Sequence, residues 1–180
     1  LMIKQLEMPW QSRAFIVLDP RVEPHESAES FEQAVRGAAS TLRHLYRRGY
    51  TPTVWAGHGD GTLVSNTEAY RKAMEELATI RPARSVDLRG LIGRLRRSGM
   101  AGGVLVMVTG RPDDADLASF QLLSQDFYRT VVLSVSNGDD ESVIGFARLG
   151  ALVVRTRPEG TWSEPWREAM EYGWSTATAG

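Results

Sequence analysis

Asp19 closes the unbroken apolar run Ala14-Phe15-Ile16-Val17-Leu18. In an α/β fold with a parallel sheet, ligands bind at the carboxyl ends of buried strands. An acid at such an end suits a metal or phosphate site. A hard divalent cation takes several oxygen ligands, carboxylates and hydroxyls among them. Further oxygens stand after two later strands. Ser65 and Thr67 follow one, and Thr109, Gly110, Arg111, Pro112, Asp113 and Asp114 follow the most apolar one. Three loops are therefore expected to meet at one end of a sheet. The local sequence argues for a degraded site. Pro20, Arg21, Val22 and Glu23 come directly after Asp19, with no hydroxyl or glycine among them. A guanidinium two residues from the carboxylate can take the place of a cation, and Gly110 stands where a carboxylate would serve best. The reading is a partner-binding surface around Asp19, Arg21, Thr67, Thr109 and Asp113 with no tight metal site. The alternative is a weak Mg²⁺ site of Asp19, Glu23, Thr67 and Asp113 that a partner carboxylate completes.

Other candidates have plainer readings. Gly57-His58-Gly59-Asp60-Gly61 has the look of a phosphate cradle, but such loops work when a helix begins straight after them. A short apolar strand follows here, so a hairpin turn is expected; a hydrolase or nucleotide-binding enzyme using this loop is the further alternative. No Gly-x-Ser-x-Gly occurs; Ser134-Val135-Ser136-Asn137-Gly138 lacks the leading glycine. His25 and His58 fall in loops expected at the same end of the sheet, where with Asp19 they can approach a transition metal, although no local ligand spacing supports it. Arg43, His44, Arg47 and Arg48 on one helix, and Arg94, Arg96 and Arg97 on another, read as solvated faces or as docking surfaces for an acidic partner. Trp162, Trp166 and Trp174 read as packing for a terminal helix.

The elements that must position these residues are legible from periodicity. Arg13 to Leu18, Thr51 to Ala56, Gly103 to Val108, Thr130 to Val135 and Ala151 to Arg155 read as strands. Thr62 to Ser65 reads as a short returning strand. A helix is expected from Ser30, with Gln33 as capping-box partner, to Gly49. Others are expected from Asn66 or Thr67 to about Ile80, Leu88 to Arg97, Asp116 to Phe127, Asp140 or Glu141 to Gly150, and Trp162 to about Tyr172. Right-handed crossovers then give a three-layer Rossmann-like α/β fold. Its sheet is mostly parallel, with one antiparallel edge strand and helices on both faces.

Composition bounds the function. A length of 180 residues suits one domain, and 42% hydrophobic residues suffice for its core. Cysteine is absent, which excludes disulfides, zinc–thiolate sites and thiol catalysis. A net charge of −1 argues against a general nucleic-acid binder. No apolar run approaches the ~20 residues that span a bilayer. The chain opens on Leu1 within a strand-like run, which reads as a piece of a longer protein: residues 1–12 as a connector or edge strand, and 13–180 as the domain.

The order of elements and the Asp19 and Thr109-Gly110 strand ends resemble a von Willebrand factor A-type domain. The metal-adhesion motif of that domain is Asp-x-Ser-x-Ser; here Arg21 and Glu23 replace its serines and Gly110 replaces a later aspartate, while Thr67 matches its loop threonine loosely. Most of the chain is similar to the C-terminal half of the bacterial domain-of-unknown-function family fifty-eight. The residues that carry this are Leu1-Met2-Ile3-Lys4-Gln5-Leu6-Glu7, Phe15-Ile16-Val17-Leu18-Asp19, Phe31-Glu32-Gln33-Ala34-Val35, Leu42-Arg43-His44-Leu45 and Arg47-Arg48-Gly49-Tyr50. The resemblance implies a von Willebrand A-like interaction module rather than an enzyme. It also implies a membrane-anchored parent, with this segment soluble on the cytoplasmic side. The implied partner is a protein, a MoxR-type AAA+ ATPase among the candidates, and the setting is assembly or envelope processes.

Overall fold

Alternation along the first strand decides how the sheet is covered. In β1 (Arg13–Leu18), Phe15 and Val17 point to one face, and Ile16 and Leu18 to the other. All four are almost inaccessible to water. A strand apolar on both faces must lie inside a sheet covered twice. In the computed structural model, which describes residues 13–84, 86, 90, 91, 102–138 and 141–175, β1 is flanked on both sides.

The elements follow in order. Helix α1 (Ala28–Arg47) leads to β2 (Thr51–Trp55), β3 (Thr62–Leu63) and helix α2 (Thr67–Thr79). Then come β4 (Val104–Thr109), α3 (Asp114–Ser124), β5 (Arg129–Val135), α4 (Glu141–Arg148), β6 (Leu152–Thr156) and α5 (Ser163–Ser175). The described strands form one six-stranded sheet in the order β3-β2-β1-β4-β5-β6. All pairs are parallel except β2 with β3. This is the expected three-layer, Rossmann-like α/β architecture. One core joins Ile16, Val106, Leu133 and Val154 to Ala34 and Ala38 of α1, Leu77 of α2 and Trp162. The opposite core joins Phe15, Leu105 and Val132 to Phe120 of α3 and Phe146 of α4, whose rings meet edge to face at 4.8 Å.

Helix ends follow local chemistry. Helix α1 starts one turn before the expected Ser30, because Ser27 is the cap: its Oγ accepts the Ser30 N–H at 3.1 Å. Two serines three residues apart offer the same signal, and the outer one takes the role. The helix stops where Gly49 turns left-handed at φ 81°. Asn66 caps α2 by accepting the Ala69 N–H at 2.9 Å. Helix α3 begins at Asp114 rather than Asp116, because Asp113 is its cap. Trp162 and Trp166 pack the last helix against the sheet as expected, and the Trp174 side chain lies outside those described. The expected helix over Leu88 to Arg97, apart from residues 90 and 91, lies outside the described residues, as do the connector 1–12 and the tail 176–180. No described helix is long and apolar enough to cross a membrane.

The two-sided core sets a contrast to measure. Leu105 is fully buried in the middle of the sheet, whereas Leu63 on the edge strand is 58% exposed. Leu105→Ala is expected to lower unfolding free energy by roughly 2–5 kcal/mol in urea denaturation. Leu63→Ala should change it by less than about 0.5 kcal/mol. Equal losses would mean that β4 is not the centre of the fold.

Candidate functional site

Strand order reverses at β1. Its crossover through α1 leads to β2 on one side, and β4 lies on the other. The crevice between the carboxyl ends of β1 and β4 is therefore the topological switch point, where such sheets bind ligands. Asp19 and Thr109 stand there, 2% and 0% exposed. The Asp19 N–H donates to Val108 O at 2.9 Å, so the sheet ladder extends to the acid itself.

Asp19 has its carboxylate fully engaged by this chain. Oδ1 accepts the Arg21 backbone N–H at 3.1 Å and Arg21 Nε at 2.9 Å. Oδ2 accepts Arg21 Nη2 at 2.7 Å and the Thr109 hydroxyl at 3.1 Å. The guanidinium also lies 2.8 Å from Oδ1 of Asp116. One cation thus bridges two carboxylates that are hardly exposed, with fork geometry on Asp19. The hydrogen bond to Asp19 raises Arg21 above the ordinary guanidinium value against the effect of desolvation. Burial pushes the Asp116 carboxyl up from its ordinary value, while the Asp113 N–H and the charge of Arg21 hold it down in part.

Asp116 is held by a second device. Asp113 Oδ1 accepts the Asp116 N–H at 2.8 Å, and Asp116 Oδ2 accepts the Asp113 N–H at 3.1 Å. This capping box starts α3 and aims Asp116 Oδ1 at Arg21. The loop over the crevice is closed by His25. Its Nε2 faces the Asp19 carbonyl at 2.9 Å, and a carbonyl can only accept, so Nε2 carries the proton. Nδ1 is buried without a partner among the described residues. Burial lowers the imidazole below its usual 6.5, against the pull of the Asp19 carbonyl and charge. Pro24 completes the plug: its carbonyl accepts the Arg111 N–H at 2.6 Å and abuts Gly110. A Cβ on Gly110 would run into that oxygen. The absence of an aspartate at 110 is thus a packing requirement of the plug.

The structure joins Asp19, Arg21 and Thr109 but does not assemble the expected metal set. Thr67 lies at the amino end of the sheet, opposite Asp19. The antiparallel β3 reverses the chain, so the loop after it emerges beside the C-terminal turn of α1, and Thr67 Oγ1 sits 3.2 Å from the Tyr46 hydroxyl. The segment that does return to the carboxyl end follows α2: Ala83 exchanges backbone hydrogen bonds with Pro20 and Val22 and brings no side-chain oxygen. Asp113 is engaged as a helix cap, and Glu23 is exposed on the loop. With a guanidinium on both Asp19 oxygens, the crevice residues do not fit a divalent cation. Nor do His25, His58 and Asp19 make a metal site: among the described residues, no three His, Asp or Glu side chains gather for one.

Gly57 to Gly61 is a hairpin turn into β3, as expected, with Trp55 Nε1 donating to Gly59 O at 3.1 Å. Arg43, His44, Arg47 and Arg48 are exposed; Arg94, Arg96 and Arg97 lie outside the described residues. Sequence reasoning missed Asp116, although the Asp113-x-x-Asp116 spacing carried the capping signal. It also missed His25 as a clamp on the Asp19 backbone, which no local pattern announces. The sequence matches no protein-family model and no curated protein.

Arg21→Met would leave Asp19 and Asp116 buried without their counter-charge, at a cost of about 3–5 kcal/mol near neutral pH. Asp116 would also lose the two Arg21 effects that hold its carboxyl down. Its folded form would then bind a proton more readily than the unfolded chain. Stability of the variant relative to wild type should therefore recover as pH falls toward the acid range. Urea denaturation across pH reads this directly; a loss independent of pH would remove electrostatics as its cause. Gly110→Ala should cost roughly 1–3 kcal/mol by displacing Pro24, and a neutral result would show that the plug yields.

Proposed function

We propose that the domain is a non-enzymatic protein-binding module that recognises its partner without a metal ion. The single observation behind this reading is the Arg21 guanidinium, which sits on both Asp19 oxygens and reaches Asp116 at the switch point. A fixed internal cation supplies the positive charge that a bound metal would supply in an adhesion-type site. It cannot exchange ligands, so a partner carboxylate gains nothing by reaching for it. The partner surface is then the outside of the plug, where Val22 is 45% exposed and Glu23, Arg111 and Asp114 face solvent. Exposed apolar and charged groups side by side suit a protein partner. Following the resemblance to domain-of-unknown-function family fifty-eight, the parent is a membrane-anchored protein, this domain its cytoplasmic part, and the partner a MoxR-type AAA+ ATPase.

Biolayer interferometry with the purified ATPase, nucleotide-free, in EDTA and then in excess Mg²⁺ tests the reading. Binding should be the same in both and should be lost in a Val22→Asp, Glu23→Arg variant that unfolds like wild type. Binding that needs Mg²⁺ would restore metal-dependent adhesion. Thermal unfolding supplies a partner-free check. A cation bound at 100 times its dissociation constant would add about 2.7 kcal/mol, whereas the expected shift of the midpoint is nil.

A further inference from the structure

We propose that the carboxyl ends of β5 and β6 form a binding site for a phosphoryl group, distinct from the plugged switch point. The two strand ends open into a depression of about 500 Å³ lined by Ser136, Arg155, Arg157, Gly160 and Glu164 among others. Two observations of different kinds support the site.

The first is a buried hydroxyl with no internal use. Ser136 is 3% exposed, and its backbone N–H is already engaged by Thr156 O at 3.0 Å. Its Oγ has no hydrogen-bond partner among the described residues. Neighbouring hydroxyls are all used: Ser134 donates to Gly110 O at 3.0 Å and Thr156 to Thr161 O at 3.0 Å. A buried hydroxyl without a partner calls for an explanation, and Ser136 is the one such group among the described residues that lines this depression.

The second is the start of α5. The first N–H groups of a helix have no intrahelical acceptor and are usually met by a Ser, Thr, Asp or Asn cap. The residue ahead of this helix is Trp162, whose indole is committed to the core through Nε1 to Gln33 O at 3.1 Å. It therefore offers no side-chain acceptor. The first intrahelical bond is Trp166 N–H to Trp162 O at 3.1 Å, and Pro165 has no N–H. The N–H groups of Ser163 and Glu164 thus sit at the positive end of a 13-residue helix at the edge of the depression.

The charges select the ligand. Arg155 and Arg157 are two residues apart and line one depression, where Arg155 Nη1 donates to Gly138 O at 3.1 Å. Glu164 opposes them with one carboxylate. Among the described residues that line the depression, Arg155, Arg157, the Ser136 hydroxyl and the start of α5 offer donors suited to a dense anion. A phosphoryl group has enough acceptor oxygens for Arg157, the Ser136 hydroxyl and the helix N–H groups together. It comes either from free phosphate or from a phosphorylated side chain of a protein.

Titration of the full chain with inorganic phosphate at constant ionic strength tests the site, read by amide chemical shifts of Ser163 and Glu164. Saturable shifts are expected there. Arg155→Gln with Arg157→Gln should weaken binding by about tenfold or more, and Ser136→Ala by several-fold. Arg47→Gln, an exposed arginine at the other end of the sheet, should change nothing. Native circular dichroism of each variant separates lost binding from lost folding, and exposed Arg157→Gln alone serves if the double variant unfolds. A phosphoserine peptide then compares the sources: tighter binding than phosphate assigns a protein side chain, equal binding assigns free phosphate, and either supports the site. Shifts that do not saturate, or affinity unchanged in the arginine variants, would overturn it. This outcome is independent of the partner test above, because no residue is shared.

Discussion

A buried carboxylate at the end of a central strand must be neutralised, and here the chain does so with its own next cation. Asp19 is carried to the switch point by the ladder between β1 and β4, so its burial is a consequence of sheet geometry. An uncompensated charge there would cost several kcal/mol. Arg21 removes that cost because the chain bends back within two residues, and a second acid takes the remaining face of the guanidinium. Both features propagate. The bend places Pro20 and Val22 against Ala83, and Pro24 against Gly110 and Arg111. The second acid, Asp116, is presented by the first turn of α3, whose cap is Asp113. One ion triad thus couples β1, the loop before α1, the segment after α2 and the start of α3.

The order and type of elements were legible because the central strands β1, β4 and β5 carry apolar runs and most of the described helices a capping or stop residue. Gly49, Asn66 and the run from Val104 to Val108 announce their roles locally. The site was legible only where its logic is local. The Asp19–Arg21 pairing lies within two residues and is visible as an acid with an arginine where serines would serve a metal. What failed was long-range direction. Thr67 was expected beside Asp19 because its loop was expected to meet the other two at one end of the sheet, yet the two-residue antiparallel strand β3 sends that loop to the other end. A single short antiparallel pair is enough to move a residue across the whole length of a strand.

Asp113 shows a related limit. As a residue type it is a good metal ligand, and as a helix cap it is equally good; sequence alone does not decide which demand is met first. The structure decides it through Asp116, whose carboxylate completes the capping box with one oxygen and the ion triad with the other. Gly110 reads in the same way. Its missing side chain looks like the loss of a ligand, but the Pro24 carbonyl occupies the volume that any side chain would need. Loss of the acid and gain of the plug are two views of one packing solution.

The carboxyl end of the sheet is consequently divided. At β1 and β4, both Asp19 oxygens, the Thr109 hydroxyl and one face of the guanidinium are engaged from within, so these groups have little left to offer a ligand. At β5 and β6, the Ser136 hydroxyl has no partner among the described residues, and Trp162 offers no side-chain cap to α5. Hydrogen-bonding capacity is a conserved quantity in a buried site: groups that satisfy one another cannot also satisfy a ligand. The fold position that most often binds ligands is therefore filled by the chain's own side chains here, and the proposed phosphoryl site draws instead on groups at the ends of β5 and β6.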